Sequence, residues 1–293
     1  MDVKCKNQYE GNGFALYNGD SCEVMKAIPD NSIHYSIFSP PFAELYTYSN
    51  SLRDLGNCHN KTEFYEQFKY IVNELHRIIM NGRLVSVHCM DLPRQKNRDG
   101  AVGLIDFPGE IIRLFTEVGF VYHSRVTIWK DPQVEMMRRK SLGLLYKTVQ
   151  KDSSMNRQGM ADYVITFRKM GDNEEKISHK KEDFSLDKWI ECASPVWMDI
   201  NQSNTLQKES AREFKDEKHI CPLQLDVIER CLDIWTNPED IVFTPFAGIG
   251  SEVYQALKMG RRGLGIELKE SYYNQAVANC KGIVSAPKKI KLF

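Results

Sequence analysis

The sequence predicts an α/β protein built on a parallel sheet, and three observations carry that expectation. A β-favouring run, Ile33-His34-Tyr35-Ser36-Ile37-Phe38, is followed by a helical stretch and then by a second strand-like run ending at His88. The same alternation returns between Asp240 and Leu268. Where strand turns into helix in that second unit stands a glycine turn, Gly248-Ile249-Gly250. Strands that alternate with helices pack into a sheet covered on its faces, with consecutive strands parallel.

In chain order, Gly13 to Asp20 reads as a short strand giving way to an Asn-Gly-Asp turn. Ser21 is placed to cap a helix from about Cys22 to Ala27, closed by Pro29 and Asp30. The strand Ile33 to Phe38 runs straight into Ser39-Pro40-Pro41-Phe42, where two prolines stop it. Phe64, Phe68, Ile71, Val72, Leu75, Ile78 and Ile79 recur at helical spacing from Thr62 to Met80, and Asn81-Gly82 is a helix stop before a strand from Arg83 to His88. Leu92 to Gly100 reads as a polar, basic loop, Phe107 to Val118 as a helix and Phe120 to Trp129 as a strand. Periodicity weakens from Lys130 to about Gln158 before Tyr163 to Phe167 restores a strand, and Gly171 to Glu182 reads as a polar linker. Helices are then expected at Leu223 to Trp235 and Ser251 to Met259, with strands at Asp240 to Phe246 and Arg262 to Leu268.

Composition narrows the class. A chain of 293 residues has room for one large α/β domain with an insertion or for two small domains. No apolar run approaches the roughly 18 residues that span a bilayer. The opening Met-Asp-Val-Lys-Cys-Lys lacks a signal peptide's apolar core, so the expected setting is the cytosol. Eight cysteines lie far apart with no C-x-x-C pair, which favours reduced thiols over a metal site. The seven histidines show no metal or triad spacing and default to structural roles. Equal numbers of basic and acidic residues, 39 of each, mean that any polyanion must be held by a local patch. Such a patch exists: Arg125 to Met170 holds ten basic residues against four acidic ones.

Two motifs carry chemistry. In Phe246-Ala247-Gly248-Ile249-Gly250-Ser251 the glycines permit a tight turn and close approach of a nucleoside, and the following helix offers free N–H groups. Glu267, nineteen positions beyond Gly248, suits a carboxylate that accepts ribose hydroxyls. Val253 stands where a dinucleotide fingerprint needs its third glycine, which weakens a nicotinamide reading. A bare glycine turn without ligand remains the plainer competitor. The second motif, Ser39-Pro40-Pro41-Phe42, lies at a strand's C-terminal end, where open α/β sheets bind ligands. A rigid hydroxyl and carbonyl beside an aromatic ring can hold an exocyclic amine and stack on a base, although spacing alone favours a proline turn with a core Phe.

Together these motifs resemble those of the DNA amino-methyltransferases: Ser39-Pro40-Pro41-Phe42 their catalytic motif and Phe246 to Gly250 their S-adenosylmethionine loop. The order, catalytic motif first, is similar to the β arrangement of that family. Asn18-Gly19-Asp20, His219-Ile220-Cys221-Pro222 and Gly265-Ile266-Glu267-Leu268 fall where the family has matching elements, and Ala193-Ser194-Pro195-Val196-Trp197 resembles methylases often carried by bacteriophages and prophages. The resemblance implies a Rossmann-like S-adenosylmethionine-dependent methyltransferase fold, circularly permuted, with an inserted target-recognition region. Its catalytic half would be 1–129, its target-recognition region 130–217 and its cofactor half 218–293. It also implies that Asp20 contacts the cofactor adenine and that Phe246, Ala247, Gly248 and Gly250 wrap its ribose and methionine. Glu267 would hold the ribose, Ser39 and the Pro40 carbonyl of the Pro40-Pro41 pair would accept the target amine, and Phe42 would stack on the flipped base. Ser at 39, commoner in the cytosine-N4 branch than in the adenine-N6 branch, favours cytosine and leaves adenine as the alternative.

An exocyclic amine is a poor nucleophile because its lone pair is delocalised, and acceptors that draw its N–H bonds out of the ring plane raise its reactivity. The base must leave the duplex to be reached. Double-stranded DNA is therefore the expected partner, with Arg94, Lys96, Arg98, Arg138, Arg139 and Lys140 as candidate phosphate contacts in a bacterial or phage-infected cytoplasm. For Arg138, Arg139 and Lys140 a solvated face is the even alternative. The resemblance leaves room for a homodimer and a cognate restriction nuclease. No metal is called for. A DNA-binding subunit with a dead methylase fold and an RNA or small-molecule methyltransferase are the rivals; intact Ser39, Asp20 and Glu267 oppose the first, and the basic segment opposes a small neutral substrate.

Overall fold

The computed structural model describes residues 3–41, 61–94, 96–139, 144, 146–206 and 222–283. The polar strand β1 (Asn7–Gly11) turns back on the wholly buried β2 (Phe14–Asn18), and a one-turn helix α1 (Ser21–Val24) leads to β3 (Ile33–Phe38). Helix α2 (Lys61–Ile78) runs directly into the long β4 (Ile79–Cys89). A small excursion follows: β5 (Leu92–Arg94), α3 (Lys96–Asp99) and β6 (Gly103–Ile105). Then come α4 (Phe107–Val118), β7 (Phe120–Ile128), α5 (Pro132–Arg139), α6 (Tyr146–Asp152) and β8 (Asp162–Lys169). Helix α7 (Leu186–Ala193) and the two-residue β9 (Val196–Trp197) precede the last unit: α8 (Leu225–Trp235), β10 (Ile241–Thr244), α9 (Ser251–Lys258), β11 (Arg262–Glu267) and α10 (Glu270–Lys281).

Nine strands form one sheet in the order β1-β2-β11-β10-β3-β4-β8-β7-β9. The five from β2 to β4 are mutually parallel, while β8 runs antiparallel between β4 and β7. Alternation along the strands sends side chains to opposite faces. Phe38, Phe243 and Ile266 join Phe64, Phe68, Ile111 and Phe115 of α2 and α4 on one face. Tyr35, Ile37 and Val242 join Val227, Ile228 and Leu232 of α8 on the other. Strand β10 connects through α9 to β11 on one side, and β3 through α2 to β4 on the other. The chain therefore reverses direction across the sheet between β10 and β3, the switch point where open sheets leave a crevice beyond their strand ends.

At the opposite end of these strands, the fully buried Arg83 ties the frame together. Its guanidinium donates to the His34 carbonyl and the Glu175 carbonyl, both at 2.9 Å, and pairs with Asp240. His34 Nδ1 accepts the Ile241 amide at 3.1 Å while Nε2 meets Glu175 at 3.1 Å. Three ligand-type groups, His34, Glu175 and Asp240, thus converge here, and Arg83 supplies the cation.

Several expectations change. Asp20, not Ser21, caps α1: its extended backbone lets Oδ1 accept the Cys22 amide at 2.9 Å, and Ser21 Oγ instead donates to the Pro245 carbonyl at 2.5 Å. Asn81-Gly82 is no helix stop but part of β4, where Gly82 at φ 72° leaves room for Asn173, whose atoms would lie 2.7 Å from a Cβ. The basic loop at 92–100 contains the short β5–β6 pair and α3. The 130–217 span is not simply an insertion, because β8 and β9 within it belong to the main sheet. Strand β1 escapes hydropathy reading because an edge strand with four polar or glycine positions needs no apolar face. No helix among the described residues is long and apolar enough to cross a membrane.

Candidate active site

Both sequence motifs reach one crevice because their strands are neighbours. Val242 lies opposite Tyr35 and Phe243 opposite Ser36, and Ser36 Oγ donates to the Phe243 carbonyl at 2.9 Å. Just beyond, the Phe38 and Phe246 rings meet edge to face at 5.6 Å, so the loop after β10 and the turn after β3 rest on shared packing. Strands β11 and β2 continue the row, with Glu267 opposite Asn18 and the Gly19 amide donating to the Glu267 carbonyl at 3.1 Å.

The glycine turn behaves as a cradle. Gly248 and Gly250 have φ of 52° and 88°, a left-handed backbone that side-chain-bearing residues disfavour. A Cβ on Gly250 would stand 3.0 Å from Ala276 of α10, whereas one on Gly248 would meet nothing within 4 Å among the described residues. Gly250 is thus fixed by packing, and Gly248 has no such neighbour among the described residues. Glu267 Oε2 accepts the Gly248 amide at 2.8 Å and Oε1 the Lys269 amide at 2.9 Å, which holds the carboxylate rigidly against the turn. Nearby, burial and then the Glu267 charge push Glu252 up to about 8, so at neutral pH it is largely the uncharged acid. Asn18 Oδ1 and Thr244 Oγ1, both buried at the ends of β2 and β10, have no hydrogen-bond partner among the described residues, as expected where a polar group completes the site. An adenosine-sized ligand with ribose hydroxyls fits these features.

On the other side, Ser39 is half-buried, and its Oγ lies 2.9 Å from His88 Nδ1 at the end of β4. His88 Nε2 faces Asp162 Oδ2 at 3.3 Å, an ion-pair distance without the alignment of a hydrogen bond. Asp162 opens β8 and also contacts the Lys130 ammonium, just past β7. Burial opposes its charge, but His88 and Lys130 outweigh burial and hold the carboxyl well below the usual range. None of these three was singled out from the sequence. The signal available was a polar residue at the end of an apolar strand, His88 near the close of Val85-Ser86-Val87-His88 and Asp162 at the start of Asp162-Tyr163-Val164-Ile165.

Phe42, Lys140, His219, Ile220 and Cys221 lie outside the described residues, as do the side chains of Arg98, Arg138 and Arg139. Arg94 and Lys96 are exposed on the excursion after β4. Lys96 lines a cleft of about 410 Å³ with Gly103, Ser154, Asn156 and Arg157. Arg125 stacks on Tyr163, 5.2 Å from its ring centre.

Comparison with known proteins agrees with this geometry. The N6/N4 methylase family model, described as DNA methylase, matches residues 33–278. The type II methyltransferase M.BglII of Bacillus subtilis is 24% identical over 263 residues, 89% of this chain and 67% of that protein. TTHA0409 of Thermus thermophilus, solved in complex with S-adenosyl-L-methionine, superposes with a TM-score of 0.68 at 21% identity over 92% of this chain and 94% of its own. The cytosine-N4-specific PvuII DNA methyltransferase gives 0.66 at 17% identity over 96% and 89%. These likenesses place the sheet and its flanking helices in the α/β methyltransferase fold. Since the family match runs from β3 to α10, through both motifs and everything between them, the chain belongs to the N6/N4 DNA methylases.

Proposed function

We propose that the protein transfers a methyl group from S-adenosylmethionine to N4 of a cytosine turned out of duplex DNA. The observation that carries this reading is the meeting, at one switch-point crevice, of the cradle at Gly248 and Glu267 with the Ser39 hydroxyl. The cofactor, when bound, supplies an electrophilic methyl on a sulfonium. Glu267 takes the ribose hydroxyls, Asp20 the adenine, and Phe246, Ala247, Gly248 and Gly250 wrap the rest. Ser39 Oγ and the Pro40 carbonyl accept the hydrogens of the target amine, draw its lone pair out of conjugation and aim it across the crevice. Pro41 fixes that turn and Phe42 stacks on the base, which offsets part of the cost of unstacking it. Ser at position 39, where the adenine branch more often has Asp, supports cytosine.

Recognition of the duplex falls within 130–217, to α5, α6 and the parts of 171–206 other than β9, which belongs to the shared sheet. Arg94, Lys96, Arg98, Arg138, Arg139 and Lys140 contact phosphates there and on the excursion after β4. Such contacts position the duplex, and base edges supply the sequence reading.

Mass spectrometry of nucleosides from DNA incubated with protein and cofactor tests the reaction. N4-methylcytosine is expected. N6-methyladenine would move the protein to the adenine branch, and unmodified nucleosides would leave a DNA-binding subunit. The cofactor assignment has its own check. Glu267→Ala removes a charged acceptor worth about 1.5–3 kcal/mol and also frees the Gly248 amide, so calorimetry should show S-adenosylmethionine affinity falling about ten- to a hundredfold. An unchanged affinity would remove Glu267 from the site.

A further inference from the structure

Resting on the reading of Ser39 as the group that meets the target amine, we propose that His88 takes up the reaction's proton through the Ser39 hydroxyl. It acts as a positioning base whose ring is oriented by Asp162 and Lys130. A lone histidine near a serine would be ordinary packing. Here four side chains from separate parts of the chain form one continuous line, Ser39 to His88 to Asp162 to Lys130, with 2.9 Å and 3.3 Å separations at the first two links. All but Ser39 are largely buried: His88, Asp162 and Lys130 side chains are 11%, 4% and 14% exposed.

The direction of the line follows from donor chemistry. The negative charge of Asp162, 3.3 Å from Nε2, favours the positive N–H end of the neutral imidazole on that side, so its hydrogen belongs on Nε2. That leaves the Nδ1 lone pair for the Ser39 hydrogen. With its hydrogen turned to His88, Ser39 presents lone pairs to the crevice, the polarity that an amine needs. Lys130 neutralises Asp162 while the ring is uncharged.

The proton balance is simple. Once N4 carries the methyl group it bears an extra positive charge and a surplus hydrogen. The N4–H bond breaks and an O–H bond forms at Ser39, while the original Ser39 hydrogen passes to His88 Nδ1. The N4 lone pair returns to the ring system, and the imidazolium rests against Asp162 until the proton leaves to water. Among the described residues, the charged or titratable groups around the ring are Asp162 on β8 and Lys130 beyond β7, and Ser39 faces it from β3. Farther along the edge, Asp91 and Arg125 act on the neighbouring Cys89. Protonation of His88 from solvent would reverse the line, with Nδ1 donating to Ser39, and so would slow methyl transfer in acid.

Two variants of the full chain test this, His88→Gln and Asp162→Asn, read by single-turnover methyl transfer to DNA across pH, with cofactor affinity measured alongside. Glutamine can bond to Ser39 but cannot take a proton. Asparagine can donate to Nε2 and drive the imidazole hydrogen onto Nδ1. Both variants should bind S-adenosylmethionine as the parent does and transfer methyl about a hundredfold or more slowly. The parent's loss of rate toward acid should vanish in His88→Gln. A parent-like rate in either variant, or a slow His88→Gln that keeps the parent's acid limb, would overturn the assignment; should His88→Gln lose cofactor binding, Asp162→Asn decides alone. A parent that modifies no base would instead count against the methyl-transfer reading itself.

Discussion

Ser39→Ala is expected to slow methyl transfer about a hundred- to a thousandfold while leaving S-adenosylmethionine affinity at the parent's value. The hydroxyl is the only part of Ser39 that can accept the target amine's hydrogen, and it is also the link to His88 Nδ1 at 2.9 Å. Removing it therefore takes away two functions with one atom. The nucleoside cradle is built from β10, β11 and β2, and its carboxylate contacts do not include Ser39. The turn itself should survive, because Ser39 is only half-buried and Pro40 and Pro41 fix its backbone. Single-turnover assays with saturating DNA, paired with calorimetry for the cofactor, separate the two effects. A variant that methylates at the parent's rate would take Ser39 out of the reaction.

The largest effect on stability is expected far from the chemistry, at Arg83. Its guanidinium is the cation for the buried Asp240 and satisfies the His34 and Glu175 carbonyls as well. Arg83→Ala leaves that carboxylate without its charge partner, a loss of about 3–5 kcal/mol. Against a total stability of about 5–15 kcal/mol this is a large fraction. Urea titration followed by circular dichroism should show the midpoint falling accordingly. The double variant Arg83→Met with Asp240→Asn should recover much of the loss, since it removes the unpaired charge along with its partner. Equal midpoints for parent and Arg83→Ala would mean that the network contributes nothing to holding β3, β4 and β10 in register. A double variant no better than the single one would assign the loss to Arg83's carbonyl contacts.

Residue order alone marked where the site's parts lie, and the family resemblance gave them their expected roles. A glycine turn after an apolar strand, followed nineteen positions later by a carboxylate, suits a nucleoside edge but suits a bare turn as well, because the turn and the strand end are local geometry. Ser39-Pro40-Pro41 was readable as a rigid turn at a strand end, since prolines dictate backbone direction whatever surrounds them, while spacing alone left a plain proline turn favoured. The resemblance assigns Asp20 to the cofactor edge, but its part as the cap of α1 was given to its neighbour, since either residue can cap and only the observed backbone angles choose between them. Helix α10 went unread although Tyr272, Tyr273, Ala276 and Cys280 bury at helical spacing, because small and polar residues dilute that face.

The sequence by itself determined the α/β alternation, the two motifs and the strand ends on which they sit. It could not place Ser39, His88, Lys130 and Asp162 together. Their meeting depends on β4 lying next to β3 and on β8 inserting antiparallel between β4 and β7, so that the start of one strand falls beside the ends of the others. Strand order and register are set by the packing of both sheet faces against α2, α4 and α8, a property of the whole assembly. Spacing along the chain carries no record of it, and so the hydroxyl was visible in the sequence while the base behind it was decided by the fold.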